Sequence, residues 1–372
     1  MAAFNGQLRS NEIFSGLYNM IISQEVFADN LGEHQTLVDK ARVDGSLYGD
    51  TKLYYSTDVL KSAPWGNDAE AANLLALHRP EAPKCQAIHL DVFRQICLTV
   101  DNYLSKRAWA TEGAFSEFNG VMLGWMRETK RVYDGTLYNV YIGTTVSPKA
   151  AQTREIAVKG LTDAKEEAML IAQGLADLFV EMGDYSREFN DNGFLRSYAK
   201  EGIKVVWNSK FVNKIRKIDL PTIFHKDGLV DKFEEEIMPN RYFGRKVETS
   251  DIGSGKIIGA DGAYDSTKGT LRAAKEFDYN DVHYFPGDAL ATSGTYVAVV
   301  GGLEASDVYI EDADIICKVL VKLPPYMSAF EVGTSFFNPK SLTENHYLTF
   351  GHNTIEYLEN YPFITVKAVT AE

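Results

Sequence analysis

Three cysteines in 372 residues are too few and too scattered for a disulfide framework: Cys85, Cys97 and Cys317 are odd in number, widely spaced and form no CxxC pair. That usage fits a reducing interior and argues against a structural zinc. Long apolar runs are also missing. None approaches the ~18 residues of a membrane span, and the opening MAAFNGQLRSNE has no basic stretch followed by an apolar one, so a soluble chain made in a cytoplasm is expected. Positive charge is scarce. Against 38 Lys and Arg stand 51 Asp and Glu, a formal net charge of −13 with no dense basic run, which disfavours tight DNA binding.

Catalytic and ligand signatures are equally thin. The seven histidines, at 34, 78, 89, 225, 283, 346 and 352, form no HExxH or other close helical pair, so no metal is expected. No GxSxG elbow occurs. His89-Leu90-Asp91 sits in an alternating segment where solvent-facing polar residues are the rule, and Glu234, Glu235 and Glu236, read as helical, point three ways and make a solvated face. The stretch SDIGSGKIIGADGAYDSTKGT, residues 250–270, looks like a phosphate cradle. A Walker A loop would need Gly where Ser250 stands and Ser or Thr where Ile257 stands, and GxGxxG fails at Ile258. Its glycines read as a mobile surface loop, with Lys256 a solvated charge. No catalytic, cofactor-binding or metal-binding residue is expected.

What is present is ordinary globular material, 45% hydrophobic and 24% charged, in a chain longer than one core usually supports. Two lobes, or one domain with long extensions, follow. Residues 10–27 place Phe14, Leu17, Tyr18, Met20 and Ile21 at largely helical spacing after a Ser/Asn cap, an amphipathic arm that needs something to dock on. SLYGDTKLYYSTDVL and QAIHLDVFRQICLTV alternate around a Pro- and Gly-containing middle, predicting an extended hairpin of two long strands with edges that ask for cover.

Helices come next. Phe115, Phe118, Met122, Trp125, Met126, Tyr133, Leu137 and Val140 form one stripe with Gly143 as a stop. Gly120, Gly124 and Gly135 inside this helix each cost about 1 kcal/mol of propensity and suggest close approach of other backbone. A second helix is capped by Asp163, with Glu166 completing the box and Ala168, Ile171, Leu175, Leu178 and Met182 on one face up to Gly183. EGIKVVWNSKFVNKI reads as a strand and a short helix from near Asn208. The pattern weakens over 219–285, consistent with a surface insertion, and β texture returns in YVAVVGG, ADIICKVLVKLP, HYLTFGH and YPFITVKAV. No repeat of 20 to 50 residues is visible.

The order of arm, hairpin, long helix, α/β lobe and β-rich return resembles the major capsid proteins of tailed double-stranded DNA phages, the Hong Kong 97 type. The likeness spans almost the whole chain. It is carried by FRQICLTVDNYLSKRAWATEGAFSEFNGVMLGWMRETKRVYDGTLYNVYIGTT, IKVVWNSKFVNKI with its preceding helix, FPGDALATSGTYVAVVGG and HYLTFGHNTIEYLENYPFITVKAV. With DLPTIFHKDGL at 219–229, these look closest to podovirus and crAss-like relatives.

The resemblance implies an α+β fold with an N-terminal arm (1–35), an E-loop (36–100) and a P domain (101–154 and 305–352) built on a spine helix at about 113–142. An A domain (155–304 and 353–372) carries the surface insertion at about 214–285. It further implies self-assembly into hexamers and pentamers of an icosahedral head in the virion, assembled in the host bacterial cytoplasm and enclosing double-stranded DNA without sequence-specific binding. Scaffolding, portal and head-decoration or head-fibre proteins are the implied partners, with no membrane and no cofactor. Assembly contacts are expected at Phe14, Leu17, Tyr18, Ile21, Gly120 and Gly124. An encapsulin-type cellular compartment has the same fold, and a cytoplasmic hydrolase or nucleotide-dependent enzyme is the reading from a different class.

Overall fold

A computed structural model describes residues 36–45, 51–62, 77, 79–101, 112–216, 234–248, 252–253, 262–264, 269–279, 281–290, 297–299 and 306–370. In chain order come α1 (Leu37–Ala41), β1 (Arg42–Asp44), β2 (Lys52–Ser56), β3 (Lys84–Ile88), β4 (Leu90–Asp101) and the long helix α2 (Glu112–Thr144). β5 (Thr153–Lys159) and α3 (Ala164–Gly183) follow, then β6 (Lys204–Asn208), α4 (Ser209–Arg216), β7 (Glu234–Met238) and β8 (Gly244–Lys246). Short strands β9 (Ile252–Gly253), β10 (Gly262–Tyr264), β11 (Leu271–Ala273), β12 (Phe277–Tyr279), β13 (Val282–Tyr284) and β14 (Val297–Val299) come next. The chain closes with β15 (Val308–Glu311), β16 (Ile315–Leu320), β17 (Tyr326–Asn338), β18 (Thr343–Asn353) and β19 (Phe363–Thr370).

Two sheets organise these elements. The five-stranded one runs β5-β19-β16-β6-β7. Its centre is covered on both faces, which is why IICKVL and VVW show no alternation: every residue of β16 is buried. On one face Val205, Trp207, Cys317, Val319, Ile364 and Val366 meet Ile171, Leu175, Leu178 and Met182 of α3. On the other, Val206, Leu320 and Phe363 meet Tyr138, Val140 and Ile142 of α2 with Leu37 and Val38 of α1. Each large side chain so buried contributes roughly 1.5–3 kcal/mol. The second sheet, β1-β17-β18-β4, is antiparallel except where β1 joins β17, and it too lies against α2.

Helix α3 forms as its spacing predicts. The Asp163 carboxylate accepts the Lys165 N–H at 2.9 Å, Glu166 and Glu167 lie in the first turn where negative charge suits the helix dipole, and all five residues expected to face inward are buried. α2 is a rod of 33 residues, about 50 Å long.

Gly143 does not stop α2, which continues through Thr144. A Cβ at this position would lie 2.0 Å from the carbonyl oxygen of Tyr242, so the glycine lets a neighbouring turn press onto the helix. Among the described residues the close approach expected at Gly124 is absent: no atom of theirs comes within 4 Å of a Cβ built there, and at Gly135 the nearest, Thr36 Cγ2, is at an ordinary 3.8 Å.

Other expectations change as well. Glu234, Glu235 and Glu236 stand on a strand, not a helix, because β7 runs parallel to β6 at the edge of the five-stranded sheet. The stretch taken for a surface insertion therefore contributes to the interior, with Met238, Tyr242 and Phe243 buried. Part of the Gly-rich stretch is ordered into a small sheet, β14-β10-β9, rather than a loop throughout, while Gly255 and Lys256 lie outside the described residues. The hairpin is present as β2 paired with β3, but each strand has only five residues.

Gly143→Ala is expected to destabilise the unassembled chain by about 3 kcal/mol through overpacking, against the helix-propensity gain, whereas Gly124→Ala should stabilise it by up to about 1 kcal/mol. Urea unfolding of both variants checks the pair, and equal effects would remove the distinction.

Candidate assembly surfaces

The surfaces of interest are set by a polar cluster at the middle of α2. Asp134, 1% exposed, receives the Tyr326 hydroxyl at 2.6 Å, Lys130 Nζ at 3.3 Å and Arg42 Nη2 at 3.5 Å. Lys130 also reaches Glu331 at 3.3 Å. One carboxylate thus ties α2 to β1 and β17. Burial and the Asp134 charge hold the Tyr326 hydroxyl far above the usual tyrosine range. Beside it, His352 Nδ1 lies 2.9 Å from the Asn353 carbonyl, which can only accept. The proton is therefore on Nδ1, and Nε2 accepts from the Tyr133 hydroxyl at 2.9 Å. Burial keeps this imidazole below its ordinary pKa and pushes Tyr133 up to about 12. These are positioning contacts.

The cluster fixes one face of the β4-β18-β17 sheet on α2 and turns the other outward. There β4 alternates, with Phe93, Gln95, Cys97 and Thr99 exposed. Opposite them stand Thr349, Tyr347 and Asn345, with Val332, Thr334 and Phe336 beyond. Gln95 bonds Thr349 at 2.9 Å and Thr99 bonds Asn345 at 2.7 Å. Phe93 and Phe336 are 59% and 62% exposed, an apolar content that a single copy leaves in water.

A second surface is the β2–β3 hairpin, whose Leu53 and Tyr55 are 51% and 66% exposed. The start of its connecting segment and the middle of β3 are bolted to the body. Asp58 accepts from Leu195 N–H at 2.9 Å and from Arg187, which together hold its carboxyl down at about 2. Arg196 donates to the Thr57 carbonyl. Gln86 bridges the Tyr357 carbonyl at 3.0 Å and the Glu359 N–H at 3.1 Å. Behind it, Asp191 gathers Ser147, Gln152 and the Tyr357 hydroxyl. Asp91, exposed as its alternating strand predicts, also caps the C-terminal segment by accepting the Thr354 N–H and hydroxyl, each at 2.6 Å.

Of the expected contacts, Phe14, Leu17, Tyr18 and Ile21 lie outside the described residues, as do the surroundings of Gly120, and Gly124 is open. Among the described residues no group of three or more His, Cys, Asp or Glu could hold a metal ion. His34, His78 and His225 lie outside them, while His283 sits between Glu276 at 2.9 Å and Asp278 at 2.7 Å. A groove of about 800 Å³ between β5 and α3 is lined by Arg154, Glu155, Gln173 and Asp177 among others, and Arg154 is engaged by Glu181 at 3.4 Å. No nucleophile with a paired base lines it.

No protein-family model matches the chain, and no curated protein matches it. Solved structures do match. A chain in the capsid structure of Staphylococcus phage Andhra superposes with a TM-score of 0.53 at 10% identity, over 86% of this chain and 80% of that one. The chain has a phage capsid fold. A chain in the structure of the head fiber and inner core protein gp22 of native bacteriophage P68 agrees, at TM-score 0.52 and 11% identity over 86% and 81%. The fold is α+β, of the Hong Kong 97 type. No helix among the described residues is long and apolar enough to cross a membrane.

Removing Asp134 leaves the buried Tyr326 hydroxyl without its acceptor and Lys130 with the half-exposed Glu331 as its carboxylate, so Asp134→Ala should cost about 3 kcal/mol, against about 1–3 kcal/mol for Tyr326→Phe. Chemical denaturation measures both, and an Asp134→Ala chain as stable as wild type would mean the cluster does not hold α2.

Proposed function

We propose that this chain is a major capsid protein, a non-enzymatic shell subunit that assembles into pentamers and hexamers of an icosahedral head around double-stranded DNA. The observation that carries this reading is a fold shared with a phage capsid structure over 86% of the chain. The exposed surfaces support it. A hairpin and a sheet face that leave Tyr55, Phe93 and Phe336 in water gain by lying against copies of the same chain, and many modest contacts accumulate in a closed symmetric assembly. A net charge of −13 suits a container whose wall must not grip phosphates.

In this reading residues 1–35 form the arm, 36–100 the E-loop, 101–154 with 305–352 the P domain, and 155–304 with 353–372 the A domain. Phe14, Leu17, Tyr18 and Ile21 of the arm dock on a neighbour, and Gly124 offers an open place on the spine for another chain. Scaffolding, portal and head-decoration or head-fibre proteins are the partners of such a shell. A podovirus-like or crAss-like origin is the finer assignment.

Negative-stain microscopy of the purified protein should find shells of uniform size. Leu17→Asp and Phe336→Asp should each lower shell yield at least tenfold, while the exposed Phe336 site should change the stability of the unassembled chain by no more than about 0.5 kcal/mol. Absence of shells, or undiminished assembly by both variants, would sink the reading. Enzyme cargo in place of DNA would turn it toward a cellular compartment.

A further inference from the structure

Lys318 of β16 is fully buried, yet among the described residues no carboxylate lies within ion-pairing distance of it. Its Nζ reaches the Thr145 carbonyl at 2.7 Å and the Thr365 hydroxyl at 2.8 Å. Thr145 is the first residue after α2, and Thr365 pairs directly with Lys318 across β16 and β19. One amine therefore joins the end of the spine helix to the central strands of the five-stranded sheet. The Phe363 ring lies on a further side, its centroid 5.7 Å from Nζ.

Counting donors and acceptors separates two states of this seam. A neutral amine has two N–H groups and one lone pair, so it can donate to Thr145 and accept from the rotatable Thr365 hydroxyl. An ammonium has three N–H groups for two oxygens and carries a charge with no countercharge in contact. The titratable groups around it do not repair this. Lys367 of β19 opposes the charge, Asp312 before β16 favours it more weakly than burial resists it, and the neighbouring Cys317 is kept an uncharged thiol by its own burial. From α2, Tyr141 has its hydroxyl engaged by the Tyr357 N–H, and Lys204 of β6 is bound to Glu234. Burial first, then Lys367, brings the amine from an ordinary 10.5 down to about 7.

We propose that Lys318 is a proton-operated catch between the C-terminal end of the spine helix and the five-stranded sheet, closed tightly when neutral and weakened when protonated. The sign follows from linkage. An opened seam exposes the amine to water and binds a proton below about 10.5, whereas the closed seam binds one only below about 7. Opening therefore becomes easier by about tenfold for each pH unit lost between those values and levels off below the lower one. The inference concerns the single chain and stands whether or not that chain assembles.

Hydrogen exchange, corrected for intrinsic rates, over fragments containing Tyr141–Thr145 and Thr365 tests it in wild type, Lys318→Met and Lys318→Arg between pH 6 and 9.5. The wild-type opening constant, divided by that of Lys318→Met, should rise about tenfold per unit as the pH falls from 9.5 to 7.5 and be flat below 7. Lys318→Arg, charged throughout, should give a high ratio that does not vary with pH. A wild-type ratio independent of pH would overturn the proposal. Should the variants fail to fold, the ¹³Cε resonance of Lys318 in the wild-type protein decides: a midpoint near 7 supports the catch, and one above 9.5 refutes it.

Discussion

A rod about 50 Å long cannot bury one side against a single sheet, so α2 must find two. Its C-terminal half lies on the five-stranded sheet through Tyr138, Val140 and Ile142, and its middle lies on the four-stranded sheet through Tyr133 and Lys130. Everything else is placed by that double contact. The turn at Tyr242 fits because Gly143 leaves room for its carbonyl, α1 packs along the rod near Gly135, and β4 is carried outward with its alternating face uncovered.

The apolar half of this arrangement was legible in the sequence. α3 declares itself through Ile171, Leu175, Leu178 and Met182 at helical spacing between a good cap and a terminal glycine. The strands of HYLTFGH and YPFITVKAV were visible by their β-branched and aromatic content. Lys130 and Asp134 were not, because a hydrophobic stripe assigns charged residues to the solvent side, whereas their i, i+4 spacing lets them meet inside against Tyr326 from far along the chain. Lys318 was hidden for the same reason, as one charge in an otherwise apolar strand.

Other misses have their own causes. Gly143 stood where a helix stop is ordinarily read, and only a contact with Tyr242, nearly a hundred residues on, explains it. Three adjacent glutamates were given a helical period, but pairing with β6 imposes a period of two, so Glu234 and Glu236 share a side and both reach Lys40, while Glu234 also takes Lys204. Weak apolar patterning over 234–248 suggested a surface, yet an edge strand and a short turn need only a few buried side chains, here Met238, Tyr242 and Phe243, to belong to the core. β17 went unrecognised because Gly333 and paired phenylalanines blur its alternation.

The contrast between Gly143 and Gly124 gives α2 a mechanical character. Near its C-terminal end the rod is pinned by a carbonyl seated where a side chain would be, and nine residues earlier it is held again at Asp134, which cannot shift without unpairing Tyr326. At Gly124, ten residues before that carboxylate, no described residue approaches the axis within reach of a Cβ. These two contacts hold the rod toward its C-terminal end, and a load applied about 15 Å beyond the second of them is felt at the Asp134 cluster before any of it reaches the five-stranded sheet.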